Sequence, residues 1–137
     1  LLIKALSLSA PSFFLDAACA SSIYAIKLAC DKLQRGEADL MFAGGINAAD
    51  SLFISLGFHA LQALSPTGES LPLHQTANGL IPSHGAGVLI LKRLRNAIED
   101  KNNILAVIEG IGLSNDGIGA HRGFLAPYQS GQVAAMQ

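Results

Sequence analysis

The stretch Phe13-Phe14-Leu15-Asp16-Ala17-Ala18-Cys19-Ala20-Ser21-Ser22 decides how this chain is read. An apolar, strand-like run ends at Asp16, small residues follow, and Cys19 stands just ahead of a helical pattern. That pattern fills residues 20–35 (ASSIYAIKLACDKLQR), where Ile23, Ile26, Cys30 and Leu33 recur at spacings of three and four. Ala25, Leu28 and Ala29 widen the apolar face and leave Lys27, Asp31, Gln34 and Arg35 as a narrow polar edge. So much apolar surface predicts a central helix, covered on most sides. Asp31 and Arg35, four residues apart, are expected to pair. Gly36 stops the helix as a left-handed C-terminal residue.

A cysteine in that place has two readings. Unpaired N–H groups and the positive dipole end at a helix N-terminus favour a thiolate. Ala17, Ala18, Ala20 and Ser21 leave room for a tight strand-to-helix turn and for an approaching substrate. This is the logic of a hydrolase nucleophile elbow with Cys in place of Ser, and a backbone N–H beside the nucleophile suits an oxyanion. Against this, free cysteines are among the most buried side chains, and most are inert. Position alone leaves both readings open for Cys19. Cys30 lies on the inward helix face and reads as core packing. Asp16 reads as a cap or brace of the turn rather than as an acid or base.

Outward from this centre, residues 39–47 (DLMFAGGIN), 87–91 (GVLIL) and 104–112 (ILAVIEGIG) read as buried strands. Residues 51–63, behind Asp50 as N-cap, and residues 93–101 read as helices. Pro66, Gly68, Pro72, Gly79, Pro82 and Gly85 mark residues 65–85 as a long irregular loop, a kind that is usually functional. Residues 114–127 read as another loop. Buried strands alternating with helices predict an α/β fold around a mostly parallel sheet, with strand directions left open. Gly44 and Gly45 suit a close backbone approach or a positive φ. No internal repeat or inter-domain linker is visible.

Composition excludes several functions. Among 137 residues, 50% are hydrophobic, 14% are charged and the formal net charge is −1. Disorder would need the reverse balance, and a nucleic-acid binder would carry a basic surplus. Charges and glycines interrupt every apolar run before the ~18 residues of a membrane span. Two cysteines make no disulfide framework. The four histidines and two cysteines match no common zinc spacing, so no metal is expected. Gly110-Ile111-Gly112-Leu113-Ser114-Asn115 fails as a dinucleotide fingerprint, because Asn115 occupies the third glycine position. The chain starts at Leu1, without a convincing cleavage site after LLIKALSL, and stops where a helix would begin. It is expected to be an internal piece of a longer protein.

Five motifs in register carry a family resemblance. Asp16-Ala17-Ala18-Cys19-Ala20-Ser21-Ser22 resembles the active-site motif of β-ketoacyl synthases, the condensing enzymes of fatty acid and polyketide synthesis. Ala43-Gly44-Gly45-Ile46-Asn47 resembles the family's AGG-x-N strand end. Ala63-Leu64-Ser65-Pro66-Thr67-Gly68 resembles its ALSP-x-G segment. Residues 85–94 (GAGVLILKRL) resemble its strand and helix start, and Asn115-Asp116-Gly117 followed by Ala126-Pro127 resembles its N-x-DG…AP region. Within the family, residues 16–19, 24–31 and 112–117 look most like ketosynthase domains of polyketide or polyunsaturated fatty acid synthases.

The resemblance implies a thiolase-like, layered α-β-α-β-α fold, of which this chain would hold the later N-terminal half (about 1–101) and the start of the C-terminal half (102–137). It implies a cytoplasmic, homodimeric acyltransferase that performs decarboxylative Claisen condensation through an acyl-Cys19 intermediate. Its partners would be acyl-carrier-protein or acyl-CoA and a malonyl-type thioester, with no bound cofactor. Cys19 would be the nucleophile and, through its N–H, one oxyanion donor. The family's two catalytic histidines and its second, glycine-rich oxyanion loop have no counterpart here, so the chain alone is expected to be inactive. His59 reads as a core or subunit-contact residue, and His121 as a solvated loop residue. His74 stands where the family often has Asp, and His84 replaces the Glu of GEGAG, which puts that loop's usual charge network in doubt. Two rivals stay open. A priming synthase or thiolase of the same fold fits poorly with the ALSP-x-G and LKRL segments. A non-catalytic synthase-like protein, setting chain length or serving as a dimer partner, fits poorly with Cys19.

Overall fold

The computed structural model describes residues 2–8, 12–48, 50–115 and 128–137. In chain order these form α1 (Leu2–Ala5), a 3-10 turn (Ala18–Ala20), α2 (Ser21–Gln34), β1 (Leu40–Asn47), α3 (Ser51–Ala60), β2 (Gly85–Lys92), α4 (Leu94–Glu99) and α5 (Gln129–Met136). The chain divides into two compact units, one of Leu1–Ala43 with Leu89–Gln137 and one of Gly44–Val88.

In the first unit, α2 supplies the best-buried positions. Ala29 and Leu33 on α2, Ala43 on β1 and Ala97 on α4 are its core. Ala29 and Leu33 share one face at a spacing of four, as the periodicity predicts. The helix ends where expected. Gly36 adopts φ +73, Gly36 N–H donates to Leu33 O and Glu37 N–H donates to Lys32 O, the paired bonds of a Schellman motif. The polar edge differs from expectation, because Asp31 pairs with Lys27 at 2.6 Å rather than with Arg35. Arg35 instead faces Glu37, across the turn that the left-handed Gly36 creates.

Arg93 ties the end of α2 to the strand that follows. Its Nη1 donates to Leu33 O and to Ala38 O, each at 2.7 Å, and its Nη2 meets Asp39. Lys92 at the end of β2 reaches Asp100 and Asn102 beyond α4.

β1 and β2 form a two-stranded sheet. Gly44 faces Gly87, and three residues further along β1 the Asn47 side chain donates to Ser83 O at 2.7 Å. Numbers rise on one strand as they fall on the other, so the pair is antiparallel. The sequence left strand directions open, because apolar runs report burial and are silent on direction. A methyl group at Gly44 would strike the Gly87 carbonyl and come within 2.9 Å of Val88 Cα, so only glycine permits this approach.

Three further expectations are corrected. Residues 104–112 form no strand, and Leu105 is 90% exposed, because a strand exists only through its neighbours and none is paired with it among the described residues. The first six residues of β2 are exposed rather than buried. Ile23 and Leu28 of α2 are also exposed, although most of that helix is buried or half-buried.

Candidate active site

The site is built from six consecutive residues. Asp16 Oδ1 accepts from Ala18 N–H at 2.8 Å, so its carboxylate braces the turn, as its position suggested. Ser21 Oγ accepts from Ala17 N–H at 2.8 Å and donates to Ala18 O at 2.7 Å. Ala20 N–H donates to Ala17 O at 3.1 Å, which closes the 3-10 turn. Ala18 sits at φ +51, in the left-handed region. For a residue with a Cβ that conformation costs roughly 1–2 kcal/mol, and the hydrogen bonds on either side hold it there.

Cys19 follows directly and is exposed. It occupies the middle of the turn that runs into α2 without a break. The N–H groups of Ala18, Ala20 and Ser21 are all bonded within the turn, and Cys19 stands at the positive dipole end of α2. A left-handed Ala18, an exposed Cys19 and the N-terminus of α2 thus follow one another directly along the chain.

Cys30 stands apart. It is half-buried on α2, and burial raises its thiol pKa above 9.0; Asp31 adds to the rise and Lys27 opposes it. The sequence placed Cys30 in the core, and partial burial is as far as the structure takes it.

The histidines belong to other surroundings. His59 is exposed on α3 instead of packed in a core. His74 Nδ1 accepts from Thr76 N–H at 3.2 Å and lies 2.8 Å from Thr76 Oγ1, a local loop contact. His84 Nε2 shares a 3.2 Å hydrogen bond with Ser51 Oγ at the start of α3. Asn47, Ser51, Ile54, Ser55, Pro82 and His84 line a cavity of about 50 Å³, room for a water or two and too small for an acyl chain. Asp116, Gly117, His121, Ala126 and Pro127 lie outside the described residues. No group of three His, Cys, Asp or Glu side chains that could hold a metal ion occurs among the described residues. No helix among them is long and apolar enough to cross a membrane.

The sequence missed Ser21 as the stitch of the turn, and it missed the Ser51–His84 pair. A serine two residues after the cysteine, at the first helical position, was the available signal for Ser21, since such hydroxyls bond to backbone three and four residues back. The Ser51–His84 pair joins residues far apart in sequence, and no local pattern announces it.

Comparison with known proteins settles the lineage. The model of the β-ketoacyl synthase N-terminal domain matches residues 3–97. The chain belongs to the β-ketoacyl synthase family. It is 40% identical over 132 residues to a component of the phenolphthiocerol/phthiocerol polyketide synthase of Mycobacterium tuberculosis, covering 96% of this chain and 7% of that protein. It is 39% identical over 117 residues to a component of the polyunsaturated fatty acid synthase of a Thraustochytrium species, covering 83% of this chain and 6% of that protein. Among solved structures, the ketosynthase from module 6 of the bacillaene synthase of Bacillus subtilis 168 superposes with a TM-score of 0.87 at 32% identity, covering 98% of this chain and 24% of that one. The chain thus spans under a tenth of the length of these curated relatives. Its structural neighbours are thiolase-like ketosynthases, and its own helices and strands are a part of that α/β fold.

Proposed function

We propose that this chain carries the nucleophile of a ketosynthase that makes carbon–carbon bonds by decarboxylative condensation in polyketide or fatty acid synthesis. The observation that carries the reading is Cys19, exposed in a hydrogen-bonded turn at the start of α2. Its thiolate adds to the carbonyl carbon of an acyl thioester borne by acyl-carrier-protein or coenzyme A. The tetrahedral adduct collapses, the carrier sulfur leaves as a thiolate, and the acyl group stays on Cys19. A malonyl-type thioester then loses CO2. The electron pair of the broken bond remains on its α-carbon and attacks the acyl-Cys19 carbonyl, and the Cys19 thiolate is expelled again. In both steps the Cys19 N–H donates to the oxyanion.

The phosphopantetheine arm is substrate in this scheme, which needs neither a metal nor a redox cofactor. The two histidines of the family motifs assist decarboxylation, and none of His59, His74, His84 or His121 takes that part. The condensing enzyme is a cytoplasmic homodimer. Residues up to about 101 belong to its N-terminal half and residues 102–137 open the C-terminal half, so this segment alone has no condensing activity. The test is Cys19→Ala in the full-length protein, with loading of a radiolabelled acyl thioester and product formation as readouts. Loss of both is expected, since removing a nucleophile costs orders of magnitude in rate. Normal product from that variant refutes the reading.

A further inference from the structure

We infer that Ser21 is a positioning residue for Cys19, acting through its hydroxyl on the direction of the nucleophile's backbone. The inference rests on the ketosynthase reading and adds a role that the motif alone does not assign. One oxygen bonds to both residues that precede the cysteine. It accepts from Ala17 N–H and donates to Ala18 O, while Asp16 Oδ1 takes Ala18 N–H from the other side. The Ser21 N–H also donates to Ala18 O, so this carbonyl is gripped twice by one residue.

These bonds straddle Cys19. The Ala18 carbonyl and the Cys19 N–H belong to the same peptide unit, and that unit is planar. Fixing the carbonyl therefore fixes the direction of the N–H that the mechanism assigns to the oxyanion. Ala18 would leave its left-handed conformation if it could, because the β and right-handed regions are lower in energy for an alanine. A turn under such strain rotates when a restraint is removed, and rotation about Ala18 swings that N–H away. The effect of Ser21 on rate passes through the peptide unit in this scheme. Misplacement on the order of 1 Å at a reacting centre costs about 100-fold in rate.

The test uses the full-length enzyme with Ser21→Ala, Ser21→Thr and Ser21→Val, and with Cys19→Ala as reference. Thr and Val have the same shape and differ by the hydroxyl, so this pair carries the comparison even if the alanine variant does not fold. Two rates are read at Cys19 by peptide mass mapping. One is acylation by a short-chain acyl thioester of N-acetylcysteamine, which forms an oxyanion. The other is alkylation by iodoacetamide, which forms none. For Ser21→Ala and Ser21→Val, limiting acylation should fall about 10- to 100-fold, with half-saturating thioester concentration and alkylation nearly unchanged. Ser21→Thr should acylate close to the wild-type rate. Equal acylation by the Thr and Val variants, or a parallel fall in acylation and alkylation, overturns the positioning role. If the wild-type enzyme takes no acyl group on Cys19, the ketosynthase reading fails and this inference falls with it. Wild-type loading with normal loading by Ser21→Val sinks only the inference.

Discussion

Arg93 offers the most direct measure of how α2 is anchored, and Arg93→Met is the perturbation that isolates it. Methionine keeps an apolar stem of similar length and removes every donor. Two 2.7 Å hydrogen bonds to Leu33 O and Ala38 O are lost. A bond from a charged donor contributes about 1.5–3 kcal/mol, and the 23% exposure of the Arg93 side chain lets water return part of that. The contact with Asp39 adds little, because that carboxylate is 87% exposed and such pairs contribute roughly 0–1 kcal/mol. The net local loss is about 2–4 kcal/mol, the roughly 3–6 kcal/mol of the two bonds reduced by about a third for that screening. At 1.4 kcal/mol per factor of ten, exchange protection falls by roughly 30- to 700-fold. The amides that report it are those of Arg35, Gly36 and Glu37, whose bonds close the end of α2. Hydrogen exchange of the full-length protein, read by mass spectrometry over residues 33–39, should show this acceleration with α3 unaffected. Asp39→Asn should change the same amides less than threefold, or roughly half a kcal/mol. A change under threefold in Arg93→Met, or an equal acceleration in α3, refutes the reasoning.

Two further outcomes follow from the same structure. Gly44→Val should abolish soluble expression or disorder the β1–β2 pair, because its Cβ meets the Gly87 backbone rather than a movable side chain; a variant with unchanged exchange across 40–47 and 85–92 contradicts this. Cys30 has a raised pKa through burial first and Asp31 second, so folding holds its proton. The linked stability is fully present below pH 9.0 and is lost as pH climbs through the higher folded value. Mass-mapped alkylation should therefore find Cys30 slower in the folded than in the urea-unfolded protein at pH 9, and equal rates argue against the shift.

What could be read from the sequence tracks how local each interaction is. The helix at 21–34 and its stop were legible, since both apolar spacing and Gly36 lie within a few residues of one another. The helices at 51–60 and 94–99 end earlier than their apolar pattern suggests, at Gln62 with φ +53 and Lys101 with φ +54. Each makes the same paired terminal bonds as Gly36, without the glycine that would announce them. Strand direction and the failure of 104–112 to pair depend on partners distant in sequence. So does burial: Val88, Leu89 and Ile90 look like core by composition and are exposed.

The Cys19 turn sits at the favourable end of this scale. Every hydrogen bond that shapes it spans two to four residues, so its geometry is written into residues 16–21. Short-range bonds of this kind form without waiting for the long loops of a sheet to close. The chemistry assigned to Cys19 also needs histidines and a second oxyanion donor that lie elsewhere in the family's motifs. The turn is thus self-contained in shape, while the chemistry proposed for it draws on groups outside it. The same six residues must satisfy the strain at Ala18, the brace from Asp16, the stitch from Ser21 and the reach of the sulfur.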